Sequence, residues 1–166
     1  NAPDRIRVRA NAGLEQGASY LKSFNAAHAS DKAMEHASAK SMVGAISAYK
    51  TDTVTAKAQI ATYTEAVTAD TAKIATLQSD LTAAQATLDA AKAATPIDQS
   101  KIDAAQIALD TATTNLAAAQ QQLAADQTSL AAANQLLANT QATLADRANV
   151  TLTSQVVTKL DSMLGI

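Results

Sequence analysis

Residues 102–144 read IDAAQIALDTATTNLAAAQQQLAADQTSLAAANQLLANTQATL, and within them Ile102, Leu109, Leu116, Leu123, Leu130, Leu137 and Leu144 fall seven residues apart without a miss. That spacing is a heptad seam. Ala105, Ala112, Ala119 and Ala133 stand three places after a seam residue, where the second core position of a heptad belongs. Leu at one core position and Ala at the other makes a thin helix that can approach its neighbour closely.

Upstream, steps of seven from Ile46 through Thr53 reach Ile60, Val67, Ile74, Leu81 and Leu88. One phase therefore crosses Lys50-Thr51-Asp52-Thr53 and predicts an unbroken helix there. Thr51, Thr53 and Thr55 are poor helix formers, and Thr51 or Asp52 offers an alternative cap. The clear break is Ala94-Thr95-Pro96-Ile97-Asp98. Thr95 suits an N-cap, Pro96 the first helical position, and Asp98 the third-position acid of a capping box, while the preceding helix should finish near Ala93. A connection this short forces antiparallel neighbours. The fold class read from the sequence is all-α, an elongated antiparallel coiled-coil hairpin or three-helix bundle whose turn is formed by Thr95, Pro96 and Asp98.

After Leu144 the phase slips into a broader stripe of Val150, Leu152, Val156, Val157, Leu160, Met163 and Leu164. Such a stripe asks for a further partner, with Val156, Val157, Leu160 and Leu164 as its contacts. Antiparallel pairing about the turn favours the Leu14–Tyr49 region of the same chain, with a second copy as the alternative. A single helix from Ile97 to Leu164 would extend about 100 Å at ~1.5 Å per residue.

From Asn11 the chain also reads as helix, with Leu14, Ala18, Leu21, Phe24 and His28 and then Met34, Met42, Val43, Ile46 and Tyr49 at helical spacing. Gly13, Gly17 and Gly44 weaken it, each by ~1 kcal/mol relative to Ala, and also permit close approach of another helix. In residues 1–10, Arg5, Arg7 and Arg9 alternate with Ile6 and Val8, as in a flexible N-terminal arm with solvated charges. Residues 11–166 are expected to form a single elongated helical bundle.

Composition agrees with this. The chain has 42 Ala and 20 Thr, one Phe and no Trp, so a large globular core is not expected. Leu, Ile, Val and Phe make up just under a fifth of the residues, a proportion typical of disorder only when net charge is high, and here it is −2. Ala has the best helix propensity, so long helices form even though each Ala buries little area. The absence of Cys excludes disulfides and thiolate metal sites. No apolar run approaches the ~20 residues of a membrane span, so membrane contact is not expected of this segment alone. The chain opens on Asn1 without a cationic and apolar leader, as expected of a processed product or a fragment of something longer.

Chemistry-bearing clusters are few. His28, Asp31 and Glu35 would share one side of a helix, with His36 alongside. Carboxylate-bridged di-metal bundles draw Glu-x-x-His motifs from several helices, whereas Glu35 is followed three places later by Ser38. The reading is a solvated polar face, with no metal and no cofactor. There is no nucleophile elbow and no Gly-rich phosphate loop, so no enzyme is expected. Tyr20, Tyr49 and Tyr63 form no stacking platform, and three arginines form no wide basic patch, so nucleic acid is not expected. Gln106, Gln120, Gln127, Asn134 and Gln141 recur four places after a seam residue and make a polar edge serving solubility. Pairs of Thr eleven residues apart, such as Thr51 and Thr62, resemble the display of Ala-rich helical antifreeze proteins, but the register does not persist.

The run Asp80-Leu81-Thr82-Ala83-Ala84-Gln85-Ala86-Thr87-Leu88-Asp89-Ala90-Ala91-Lys92, the Thr95-Pro96-Ile97-Asp98 turn and the return Ala104-Ala105-Gln106-Ile107-Ala108-Leu109-Asp110 resemble the N-terminal coiled-coil domain of type III secretion translocators. The resemblance covers about residues 55–145. It implies an antiparallel bundle that precedes a membrane-inserting part and reaches a host cell surface through a needle, hence a secreted virulence factor of a bacterium. This chain carries no membrane-inserting hairpin. Helical hairpins of efflux and secretion pump adaptors are similar, but are flanked by β-rich lipoyl-like halves that are missing here. Flagellin-like export substrates share the composition. The expected function is a non-catalytic interaction or structural module whose partners are other helices, through self-association or a secretion-system component. A pump adaptor hairpin, a helical pore-forming toxin component and an ice-binding protein are the alternatives.

Overall fold

The computed structural model describes residues 25–38 and 40–166. Among them, a 3-10 turn over Asn25–His28 is followed by four α-helices: α1 (Asp31–Glu35), α2 (Met42–Ala93), α3 (Gln99–Ala148) and α4 (Ser154–Leu164), with no strand among the described residues. The two long helices α2 and α3 pack against each other, and the fold is an all-α helical hairpin. The expected arm at residues 1–10 and the positions Leu14, Leu21 and Phe24 lie outside the described residues.

A short polar residue stands at the start of each helix. Ser30 accepts from Ala33 N at 3.2 Å, Ser41 from Gly44 N at 3.0 Å, Asp98 from Lys101 N at 3.3 Å and Thr153 from Val156 N at 3.3 Å. Each satisfies one of the four amides that a helix start leaves without an internal partner. Within the helices, many Thr hydroxyls donate to the carbonyl four residues back, among them Thr55, Thr68, Thr71, Thr82, Thr111 and Thr128. That bond keeps a β-branched polar side chain inside the helix without competing for a backbone amide. The continuous phase across residues 50–53 is realised as unbroken α2.

Three local expectations differ from the structure. At the turn, α2 ends at Ala93 as Pro96 demands, but α3 begins at Gln99 and Asp98 is its cap, in place of Thr95. The Thr95–Pro96 peptide is cis, and Pro96 lies in the connection rather than in the first turn of α3. The single helix expected from Ile97 to Leu164 is two helices. α3 closes where Asn149 adopts a left-handed conformation (φ 52°), with Val150 N donating to Ala145 O at 3.0 Å and Asn149 N to Asp146 O at 3.1 Å. Asn tolerates that conformation better than most residues, and the two bonds satisfy carbonyls left open by the helix end. The slip in phase after Leu144 marks this stop. Finally, the expected helix over Asn11–Tyr49 is, in its described part, a 3-10 turn, the short α1 and the first turns of α2. Ser30 and Ser41 start new helices because their hydroxyls capture amides that a continuing helix would need.

The chain divides into two compact units: one of the described residues up to Ala58 with Ala133–Ile166, the other Gln59–Ala132. The first contains a core of Ala27, Met34, Ala45, Ile46, Tyr49, Leu144, Leu160 and Leu164. Val156, Met163 and Ile166 pack against it. In the second unit the arms of the hairpin bury Leu88, Ala105 and Ala119 between them, and Leu81 and Leu109 line one shallow groove with Gln85 and Thr113.

Candidate interaction surfaces

Heptad geometry sets the degree of burial along the seam. Ile60, Val67, Ile74 and Leu81 on α2 are half-buried and Leu88 is buried; Ile102, Leu109, Leu116, Leu123, Leu130 and Leu137 on α3 are half-buried and Leu144 is buried. In the two-helix unit every seam residue but Leu88 is left half-buried, whereas Leu144 lies in the core of the first unit, where α4 and the residues before α2 are added. The Ala ladder is the more enclosed core position, with Ala105, Ala119 and Ala133 buried and Ala112 half-buried. Small side chains let the backbones approach until little space remains for solvent.

Of the four residues read as partner contacts, Leu160 and Leu164 are buried and Val156 and Val157 half-buried. Leu160 and Leu164 share their core with Ala45, Ile46 and Tyr49 of the same chain. This is the internal pairing expected between the C-terminal stripe and the region ending at Tyr49.

A polar contact ties α4 to α2 beside that core. Tyr49 Oη donates to Asp161 Oδ1 at 2.6 Å, and Lys57 Nζ donates to Asp161 Oδ2 at 2.7 Å. Tyr49 and Lys57 are eight residues apart, just over two turns, so one carboxylate on α4 meets both. Burial first, and then the hydrogen bond and charge of Asp161, push the Tyr49 phenol well above its ordinary value, so it remains a donor. Sequence reasoning placed Tyr49 in the apolar stripe and missed Asp161 and Lys57. A carboxylate at a position where α4 otherwise buries Leu160 and Leu164 was the available signal.

Asp70 on α2 and Asp126 on α3 were also missed. Asp126 stands where the ladder has Ala119 and Ala133, and Asp70 lies seven residues from Tyr63 and Leu77, both half-buried. These carboxyls therefore sit at core positions of the hairpin. Gln122 Nε2 donates to Asp126 Oδ2 at 3.1 Å.

The other candidate groups fall apart in space or face solvent. His28 closes the 3-10 turn, whereas Asp31 and Glu35 belong to α1, so the shared helical face required for a three-ligand site does not form; His28, Glu35 and His36 are exposed. Among the described residues, no group of three His, Asp or Glu is placed to hold a metal ion. Gln106 of the polar edge bonds along its own helix to Asp110 at 2.9 Å, as do Gln85 with Asp89 and Gln99 with Asp103. Such pairs four residues apart support the helix that carries them. Near the turn, Ile97 and Ile107 remain 70% and 67% exposed. Beside the first core, Tyr49, Asp52, Thr140, Leu144 and Arg147 line an open groove of about 180 Å³. No described helix is long and apolar enough to cross a membrane. The chain matches no family model, no curated protein and no solved structure.

Proposed function

We propose that this chain is a non-catalytic helical-hairpin module that works by contact with other protein helices, as part of a secreted bacterial protein. The observation that carries this reading is the distribution of apolar side chains. The large ones that α4 and the first turns of α2 supply are consumed in an internal core, while Ile97 and Ile107 beside the turn stay exposed. Exposed apolar side chains in the turn and on the first turns of α3 are available to a partner at no cost to the fold. The finer reading, the coiled-coil part of a type III translocator, rests on the resemblance of residues 55–145 and on the Cys-free, Ala-rich composition.

Two experiments test the two levels. Photo-crosslinkers placed at 97 and 107 in the producing bacterium should give a discrete protein adduct, while Ile97→Asp with Ile107→Asp leaves the melting temperature unchanged. Absence of any adduct from both positions would remove the turn as a contact site. For the finer reading, the protein expressed from its own gene should reach the medium only when a type III export apparatus is functional. Equal release from an export-deficient strain rejects it.

A further inference from the structure

The unit Gln59–Ala132 is built from α2, α3 and the turn between them, and its only charged residues that are not exposed are Asp70 and Asp126. These two approach from opposite arms, within about one helical turn of the same distance from the turn at Pro96. Both are half-buried. Asp70 Oδ2 is shielded from solvent and has no hydrogen-bond partner. Two carboxylates at such a place repel, whereas a single proton between them turns the repulsion into a hydrogen bond.

We propose that Asp70 and Asp126 form a proton-sharing layer that tightens the hairpin unit Gln59–Ala132 on acidification and loosens it toward neutral pH. The charged groups acting on the Asp70 carboxyl are Asp126 from α3 and Lys73 from its own helix. Burial comes first, and then the hydrogen bond and charge of Asp126; these raise Asp70 above its usual carboxylate range, and Lys73 opposes them. The sign follows from linkage. A carboxyl whose folded value lies above its unfolded value of about 3.9 holds its proton more tightly when folded. Its contribution to stability is complete below that unfolded value and is lost as pH rises through the raised folded value. The heptad shows the alternative: Ala at 126 would extend the ladder of Ala105, Ala112, Ala119 and Ala133.

The test is amide hydrogen exchange of α2 and α3 around residues 70 and 126, corrected for intrinsic rates, between about pH 4 and about pH 7. In the wild-type chain, protection at these amides should fall as pH rises, while Asp126→Ala should be more protected at neutral pH and lose that pH dependence. Asp126→Asn, which keeps shape and a hydrogen bond, should also lose it, and serves should the Ala variant not fold. Protection that runs parallel in wild type and variant across this range, or a wild-type chain insensitive to pH at these amides, overturns the proposal.

Discussion

Asp161 receives two hydrogen bonds from α2, and burial makes them unequal. Tyr49 is 2% exposed, so removing its hydroxyl leaves a buried carboxylate oxygen without its donor, whereas the Lys57 side chain is 44% exposed and water can replace it. Tyr49→Phe should therefore cost about 1–3 kcal/mol, and Lys57→Met about 1 kcal/mol or less, as measured by urea unfolding. The phenol also sets an alkaline limit. Its folded value is raised, so its contribution is complete below the unfolded value of about 10 and is lost as pH climbs from there toward the folded value. Tyr49→Phe should remove that share of the alkaline decline; an unchanged slope of stability against pH above about 10 would contradict it. At this scale the sequence is least legible. Tyr49 announces itself by its spacing with Ile46, but Asp161 sits between Leu160 and Ser162, and its partners lie more than a hundred residues away, beyond any local pattern.

Elements were far more legible, and the reason is visible in α2 and α3. A seven-residue repeat sustained from Ile46 to Leu88 and from Ile102 to Leu144 calls for helix packing along one face, and the turn between them follows from Pro96. The errors fall where no repeat operates: at the start of α3, where Asp98 rather than Thr95 caps, and in residues 25–41, where Ser30 and Ser41 cut a helical pattern into short pieces. The break at Asn149 was written in the slip of phase after Leu144 but was read as a change of partner. Repeat position alone also does not set the energetic weight of a seam residue. Leu144 is 1% exposed within a multi-element core, whereas Leu116 is half-buried between two arms. Leu144→Ala should cost about 2–5 kcal/mol and Leu116→Ala about 1–2 kcal/mol. Equal losses in thermal melting would mean that the third and fourth contributors to the core around Leu144 add nothing.

Across the whole molecule, one heptad phase runs through all of α2 and another through all of α3, without a break where the chain passes from one compact unit to the other. Removing residues 74–80 together with 113–119 takes one repeat from each arm at matching levels and keeps every remaining seam residue facing its partner. That double deletion should retain helicity and a cooperative melt by circular dichroism. Removing 74–80 alone makes the arms unequal, and either the turn or the core around Leu144 must yield, so its melting temperature should be clearly lower. Similar melting of the two would show that the arms are not in register. If they are, arm length is a quantity that paired insertions and deletions can change in whole repeats while Tyr49, Asp161 and the core beside them stay as they are. Within the unit Gln59–Ala132, arm length is then counted in sevens, and a paired change of one repeat leaves the turn at Pro96 as it is.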